Sequence, residues 1–290
     1  METTTGEIRV GIGGWDFKGW RGGAFYPVGL KHAKELEYAS RQLTAIEVNG
    51  TYYGPQKPES FARWRDDSPE GFVFALKAPQ LVTASRKLAE MGGLIHRFLE
   101  VGPPELGPKL GPILWQFPRF KSFHADDFEG FLQLLPEDTA GLPLHHVLDV
   151  RHESFLCAEF LALVRKYGMA TVFTDSDEYP SFADVTGDIV YARLMNAREA
   201  EPLGYKADEL DTWTARAKLW AGGGEPSELP RIESLQSKGE KKPRDVYVFA
   251  INGAKERAPA AAMALLDRLG KRPATAIAAP APAPEQTSLF

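Results

Sequence analysis

The sequence predicts a single-domain (β/α)₈ barrel, the TIM-barrel fold, from three observations. Its 290 residues, of which 43% are hydrophobic, can bury a large core, and this length suits one α/β barrel or two smaller domains. Eight short apolar segments alternate with helix-like segments, which is typical of repeated strand and helix units around a parallel sheet. Polar residues recur at the C-terminal ends of seven of these segments, the edge where barrel active sites are built. An open doubly wound sheet is the alternative fold class.

The first half of the chain contains four predicted strands, each an apolar run closed by a glycine, a proline or a polar residue. These strands are Ile8–Gly14, Ile46–Asn49, Phe72–Lys77 and Pro112–Phe117. Apolar residues at helical spacing predict helices at His32–Gln42 and Lys57–Arg65, and a looser helical region continues up to Val101. The glycine-rich loop after the first strand has Asp16 where a dinucleotide-binding fingerprint has its third glycine, so no dinucleotide site is predicted.

The second half of the chain repeats this pattern of strands and helices. The predicted strands are Val147–Arg151, Ala170–Asp175, Asp188–Leu194 and Asp245–Ile251. The predicted helices are His124–Leu135, Ser154–Tyr167, Leu210–Trp220 and Pro259–Leu269. Too few residues separate the sixth and seventh strands for a full helix, and only an irregular helix is predicted there. Residues 1–270 therefore form the predicted barrel domain.

The composition restricts the classes of function. A formal net charge of −5 creates no overall positive field that would attract nucleic acid. The single cysteine, Cys157, excludes an intrachain disulfide, and no apolar run is long enough to span a membrane. Because no signal segment is recognisable at the N-terminus, we expect a cytoplasmic protein without membrane contact.

Strand alternation predicts a polar site at the C-terminal mouth of the barrel. In the second strand Ile46 and Val48 share one face, whereas Glu47 and Asn49 share the other. Polar groups on an inner face are tolerated where other polar groups converge on them. The residues expected to converge at this mouth are Glu47, Asn49, Lys77, Gln116, Asp149, Arg151, Asp175, Arg193 and Asn252, with Tyr52 available for stacking.

Binding of an anionic ligand is the expected role of the cations in this set, because they match the charge and geometry of phosphate or carboxylate groups. These cations are Lys77, Arg151 and Arg193. The uncharged residues expected to contact the same substrate are Asn49, Tyr52, Gln116 and Asn252. Lys77 is also a catalytic candidate, as a positive charge or through a Schiff base.

Proton transfer is the expected role of the acids Glu47, Asp149 and Asp175, with Glu47 as the first choice of base. The same carboxylates can hold Mg²⁺ or Mn²⁺, which prefer oxygen ligands. The six histidines show no zinc-ligand spacing, so no metal site is assigned and the cofactor is left unknown. The alternative is that these acids and the cations only neutralise one another in a buried network.

The C-terminal tail differs from the barrel in composition. Residues 271–284 are almost wholly alanine, proline and threonine, which cannot bury enough apolar surface to fold, so a disordered linker is predicted. The following Gln286-Thr287-Ser288-Leu289-Phe290 resembles the pentapeptide that binds the bacterial sliding clamp, although Thr287 departs from the usual leucine. Gln286, Leu289 and Phe290 are the predicted contacts with the clamp, which would bring the protein to DNA. The alternative is a chance ending on a disordered tail.

The chain resembles the YecE-like family, which is catalogued as a domain of unknown function (DUF72). The segments that carry the resemblance are Gly14-Trp15, Gly19-Trp20, Phe25–Pro27, Glu47–Tyr53, Phe74–Lys77, Gly111–Pro118, Val150–Phe155, Thr174–Ser176, Tyr191–Leu194 and Arg257–Ala260. The chain departs from the family pattern at Asp149, usually glutamate, at Met195-Asn196, usually histidine-glycine, and at Ile251, usually asparagine. The resemblance implies a barrel related in shape to sugar isomerases and apurinic-site endonucleases, and it implies no established reaction.

Three hypotheses about function follow. The first is an enzyme acting on nucleic acid or a phosphate-bearing fragment of it, such as a DNA-repair phosphoesterase recruited by the sliding clamp. The second is an isomerase, lyase or hydrolase of a phosphosugar or sugar acid. The third is a barrel that binds a ligand without catalysis.

Overall fold

The computed structural model describes residues 5–234 and 242–274, and in this part of the chain eight parallel strands close into a barrel. The strands are β1 (Ile8–Gly13), β2 (Ala45–Val48), β3 (Val73–Lys77), β4 (Leu110–Gln116), β5 (His146–Asp149), β6 (Ala170–Thr174), β7 (Ile189–Leu194) and β8 (Asp245–Ala250). Each strand pairs with the next one along the chain, and β8 pairs with β1. The predicted TIM barrel is confirmed, and closure excludes an open sheet.

Nine α-helices are found in the described chain. They are α1 (Glu35–Gln42), α2 (Gly50–Tyr53), α3 (Pro58–Asp67), α4 (Gln80–Thr83), α5 (Gly92–Glu100), α6 (Ala125–Leu132), α7 (Ala158–Lys166), α8 (Ala207–Ala221) and α9 (Ala258–Leu269). Short 3₁₀ segments lie at Lys18–Trp20, His32–Lys34, Leu88–Glu90, Pro103–Lys109, Glu153–Phe155 and Lys255–Arg257. A two-stranded antiparallel hairpin, Asp138–Thr139 with Leu142–Pro143, lies outside the barrel.

Several helices differ from the predicted bounds at their ends. The helix predicted from Ser154 instead begins with a 3₁₀ turn, and the extended backbone of Cys157 (φ −143°, ψ 154°) separates that turn from α7. The short helices α2 and α4 follow β2 and β3 directly and were not predicted from the sequence. Both lie at the C-terminal end of the barrel, so they contribute to the walls of its mouth.

The irregular helix predicted between the sixth and seventh strands is wrong, because residues 175–188 form turns and extended segments. This loop is hydrogen-bonded to the segment after α8. The backbone N–H of Ala183 donates to the carbonyl of Pro230 at 2.8 Å, and the Asp184 carboxylate accepts from the backbone N–H groups of Ile232 (2.8 Å) and Glu233 (3.1 Å). These long-range bonds take the place of the internal bonds of a helix.

Two apolar cores flank the strands. Ile46 and Val48 of β2 belong to the core between the barrel and its helices, whereas Ala45 belongs to the core inside the barrel. The predicted alternation of β2 is therefore confirmed, with Glu47 on the inner face. The inner core is tightly filled: a Cβ atom on Gly11 of β1 would lie 2.0 Å from the carbonyl oxygen of Ala45.

No helix within residues 5–234 and 242–274 combines the length and the apolar character needed to cross a bilayer. Of the predicted linker, the structure describes only residues 271–274. Residues 275–290, which include the motif at Gln286–Phe290, lie outside the described residues, so the tail predictions stay predictions.

Candidate functional site

Five buried polar side chains from five strands meet at the mouth of the barrel. They are Glu47 of β2, Lys77 of β3, Gln116 of β4, Asp149 of β5 and Arg193 of β7. Each lies at or near the C-terminal end of its strand and shares the inward parity of the apolar residues below it. The structure therefore brings together five of the residues that the sequence predicted for this site.

Arg193 is the centre of the cluster and is only 2% exposed. Its Nη2 donates to Glu47 Oε1 at 3.0 Å, and its Nη1 donates to Asp149 Oδ2 at 2.7 Å and to Gln116 Oε1 at 3.2 Å. Burial alone would lower the pKa of Arg193, but the charges of Glu47 and Asp149 raise it above its usual value. The guanidinium is therefore a permanent cation that holds two carboxylates in place.

Glu47 lies beneath this network with no solvent exposure. Its Oε2 accepts a hydrogen bond from the Tyr191 hydroxyl at 2.8 Å, while Oε1 accepts from Arg193. Burial, followed by the charge of Glu47, raises the pKa of Tyr191 well above its usual value, so this hydroxyl stays a donor. Since both oxygens of Glu47 are engaged, the residue expected to act as the base is a structural anchor of Arg193 in this arrangement.

Arg151 follows β5 and forms a second layer over the cluster. Its Nη2 donates to Gln116 Oε1 at 2.8 Å and to Asp149 Oδ2 at 3.1 Å. Its guanidinium also lies 4.1 Å from the ring centroid of Tyr179, in the loop between β6 and β7. Asp149 therefore binds both arginines through the same oxygen, and Arg151 reaches the cavity wall.

Lys77 differs from the arginines because no described residue accepts a hydrogen bond from its ammonium group or pairs with it. Its Nζ lies 3.8 Å from the ring centroid of Tyr52, a cation–π contact. Burial and, after it, the charge of Arg193 lower the pKa of Lys77 from 10.5 to about 8, although the charges of Glu47 and Asp149 oppose the shift. Lys77 is therefore a buried cation whose charge is only partly compensated.

A cavity of about 770 Å³ lies at the mouth. Of the cluster, Lys77, Gln116, Arg151 and Arg193 line it. This volume falls within the roughly 300–1,000 Å³ that is typical of small-molecule sites. The cluster contains three cations, Lys77, Arg151 and Arg193, and two carboxylates, Glu47 and Asp149, so its formal charge is +1 when Lys77 is protonated. The mouth therefore favours an anion.

The rim of the same cavity holds the remaining predicted contacts. Asn49, Tyr52 and Asn252 all line it, and the Asn49 side chain donates to the carbonyl of Glu47 at 3.4 Å. Burial raises the pKa of the Tyr52 hydroxyl, so Tyr52 presents a neutral ring to Lys77.

Asp175 does not join the cluster, contrary to the sequence prediction. Its Oδ1 accepts from the backbone N–H of Met195 at 2.6 Å, and its Oδ2 accepts from the Tyr205 hydroxyl at 2.8 Å. Alternation explains this placement: Ala170 and Val172 of β6 face the barrel interior, so residue 175 points away from it. Asp175 positions the loop after β7, and burial raises the pKa of its carboxyl group against these hydrogen bonds.

The three predicted carboxylates do not form a site for a divalent cation. Asp175 faces another loop, and the guanidinium of Arg193 lies between Glu47 and Asp149, where a cation would have to bind. Within the described residues, the ligand atoms that lie within 4.8 Å of one another belong to Asp16, His32 and Glu35. There too a cation is already supplied by the protein, because Arg21 pairs with Asp16 and with Glu35, each at 2.6 Å. No step involving Mg²⁺ or Mn²⁺ is derived from these groups.

Sequence reasoning missed Tyr191 and Tyr179. Tyr191 stands two residues before Arg193 on β7, and this spacing alone puts both side chains on the inner face. Tyr179 lies in the irregular loop of residues 175–188, where no periodic pattern marks it.

A sequence profile of the family described as "Protein of unknown function DUF72" matches residues 9–287. The chain belongs to the DUF72 family. The profile covers all eight strands from β1 onward except the first residue of β1, so the cluster at the mouth lies within the family's shared region.

Individual relatives agree with this assignment. The UPF0759 protein YecE of Escherichia coli K12 is 29% identical over 149 residues, which are 51% of this chain and 50% of that protein, so the match spans half of its length. A DUF72 protein from Thermotoga maritima has a similar structure, with a TM-score of 0.67, 23% identity and coverage of 91% of this chain and 98% of that one. A DUF72 protein from Enterococcus faecalis gives a TM-score of 0.63 at 17% identity, over 91% and 95% of the two chains. At these identities, the two structures support the barrel fold alone.

Proposed function

We propose that this DUF72 protein binds a small anionic ligand, a phosphate or carboxylate compound, at the mouth of its barrel. The observation that carries the proposal is Lys77, a buried cation that faces the cavity without an ion-pair partner among the described residues. A buried charge is stable where an opposite charge meets it, so a bound anion would complete this site.

Arg151 is the second cation of the proposed site, whereas Arg193 has a different role. Arg193 also lines the cavity, but it is bonded to two carboxylates and almost completely buried, so its role in this proposal is to position the cluster. Arg151 shares only one carboxylate oxygen with Arg193 and lines the cavity together with Lys77. An anion between Lys77 and Arg151 would receive charge-assisted hydrogen bonds from both.

The second candidate is an isomerase or lyase acting on a phosphosugar or sugar acid. It is favoured by the pKa of Lys77, which burial lowers to about 8, because a group that titrates near neutral pH is suited to proton transfer. Turnover of a bound ligand by the parent protein but not by Lys77→Arg separates this candidate from simple binding. Arginine keeps the positive charge but does not release its proton near neutral pH.

Recruitment to DNA as a clamp-bound phosphoesterase is a further proposal, supported by the sequence at Gln286–Phe290 alone. Binding to a clamp on DNA would supply the local concentration that a chain of net charge −5 does not obtain electrostatically. No observation at the mouth supports this further proposal, whereas the buried charge of Lys77 supports the binding of a small anion.

A thermal-shift screen tests the proposal, because a ligand that binds the native state raises its melting temperature. Probes should include inorganic phosphate, sugar phosphates, sugar acids, nucleotides and abasic DNA. We expect a small anion to stabilise the parent and Lys77→Arg, and to lose its effect on Lys77→Met. Lys218→Met is the matched control, since Lys218 is exposed on α8 and does not line the mouth cavity. The proposal fails if no anion stabilises the parent, or if Lys77→Met responds as the parent does.

A further inference from the structure

A second cavity adjoins the mouth and is apolar. It has a volume of about 690 Å³ and lies among α2, α3, α4 and α5. We call it the groove, and its apolar lining includes Tyr53, Phe61, Leu81, Leu94, Phe98 and Val101. No sequence signal predicted it, because its residues come from three separate segments of the chain.

The groove concentrates the exposed apolar surface of the protein. Among the residues described, nine large hydrophobic side chains are exposed, and four of them line this groove. These four are Tyr53 (79% exposed), Leu81 (69%), Val101 (51%) and Leu94 (39%). Single exposed apolar residues need no explanation, but a contiguous set of them marks a binding surface.

The groove lies beside the charged mouth. Tyr52, Tyr53, Gln56 and Gln80 line both cavities. The Tyr52 ring, which the Lys77 ammonium contacts, therefore forms the boundary between the polar and the apolar part. Since the two cavities share these lining residues, a molecule that contacts Lys77 lies next to the groove.

The charged residues of the groove have the same sign as the mouth. Lys57 and Arg97 line it, no acidic residue does so among those described, and neither cation has an ion-pair partner in the described structure. A ligand bound here thus meets positive charge along an apolar surface. This combination suits an anion with a hydrocarbon or aryl portion better than a sugar phosphate, whose hydroxyl groups would leave the apolar wall exposed.

We propose that the ligand of the mouth is an anionic amphiphile, whose phosphate or carboxylate head lies at Lys77 and Arg151 and whose apolar tail lies in the groove. This inference rests on the proposed function, since it places the head group in the same site. A protein partner covering the groove would bury the four apolar side chains but would leave the charge of Lys77 inside the mouth without a counter-ion. The shared lining of the two cavities therefore favours one small molecule.

The test is titration calorimetry of the full chain with inorganic phosphate and a series of n-alkyl phosphates from butyl to decyl, below their micelle concentrations. Each methylene group that enters the groove should tighten binding by about fourfold, from the transfer free energy of a buried CH₂. In the double variant Leu81→Ser with Leu94→Ser, we expect this dependence on chain length to flatten while inorganic phosphate binds as before. Leu219→Ser, an exposed leucine on α8 outside the groove, is the matched control. Lys77→Met should weaken every member of the series.

The outcomes separate the two proposals. If inorganic phosphate and the short esters bind but affinity does not rise with chain length, the amphiphile inference is wrong and the anion site stands. If alkyl phosphates bind and Lys77→Met leaves their affinity unchanged, the head group is not in the mouth and both proposals fail. If the parent shows a concentration-dependent dimer in sedimentation that Leu81→Ser with Leu94→Ser removes, the groove belongs to a second copy of the chain and the amphiphile inference is again wrong.

Discussion

Two parts of the barrel mouth contain buried cations in different surroundings: the floor, formed by Arg193, Glu47 and Asp149, and the wall, formed by Lys77 and Tyr52. On the floor, Arg193 is bonded to Glu47 and Asp149, and every charge has an opposite partner within 3.0 Å. On the wall, Lys77 is nearly as buried, yet its contact is the ring of Tyr52 and no carboxylate pairs with it. The floor is a network of ion pairs, whereas on the wall the positive charge of Lys77 has no anionic partner among the described residues. Burial and charge type alone do not distinguish the two roles, but the pattern of partners does.

The largest expected effect comes from breaking the floor. Arg193→Met removes the cation that bridges two buried carboxylates, and we expect it to lower the free energy of unfolding by about 3 to 5 kcal/mol. Urea denaturation measures the loss. The double variant Glu47→Met with Arg193→Met should lose less than the sum of its two single changes, because it leaves fewer buried charges unpaired. Strict additivity would show that the Arg193 and Glu47 charges do not interact as this geometry requires.

Replacing the wall cation should stabilise the protein instead. Because burial lowers the folded-state pKa of Lys77 from 10.5 to about 8, the folded state binds fewer protons than the unfolded state between these pH values. The charged lysine is therefore unfavourable below pH 8, and this penalty is removed as pH rises towards 10.5. At pH 7 we expect Lys77→Met to be more stable than the parent by roughly 2 to 3 kcal/mol.

Urea denaturation of both proteins at pH 7 and pH 9.5 checks this sign, since their difference should shrink at the higher pH. Lys218→Met, at an exposed position, should show no such pH-dependent difference. A parent as stable as Lys77→Met at pH 7 would mean that an unrecognised group already compensates the charge, and the wall would then resemble the floor. A gain in stability accompanied by lost anion binding would instead be typical of a functional residue.

The sequence predicted which residues meet at the mouth better than it predicted how they pair. Alternation in β2 placed Glu47 on the inner face, and the strand-end position placed Lys77, Gln116, Asp149 and Arg193 beside it. Which acid binds which cation depends on how three non-adjacent strands are offset around the closed barrel, and no local pattern contains that information. The contact between Glu47 and Tyr191 joins residues 144 positions apart. Sequence reasoning therefore named the base without detecting that both of its oxygens were occupied.

The error at Asp175 has a different cause. Its position at the end of the sixth strand predicts a place in the site. Ala170 and Val172 face the barrel interior, however, so alternation puts residue 175 on the opposite face. Being at a strand end is not sufficient: the side chain must also fall on the inner face. The groove was beyond either rule, because it forms where helices α2 to α5 meet and their exposed apolar residues show no shared period along the chain.

The smallest expected effect comes from Asp175, which tests whether it belongs with the floor or outside the site. Asp175→Ala leaves the Met195 N–H and the Tyr205 hydroxyl without their acceptor, and we expect a loss of roughly 1 to 2 kcal/mol in the free energy of unfolding. Tyr205→Phe removes one of these two bonds and should cost less, and the two changes together should be less than additive because they share that bond. Anion affinity, measured by titration calorimetry, should stay within about twofold of the parent in both variants. This limit corresponds to roughly 0.4 kcal/mol, and we expect no larger change because Asp175 contacts neither the cluster nor the proposed ligand. Loss of anion binding in Asp175→Ala but not in Tyr205→Phe would return Asp175 to the site.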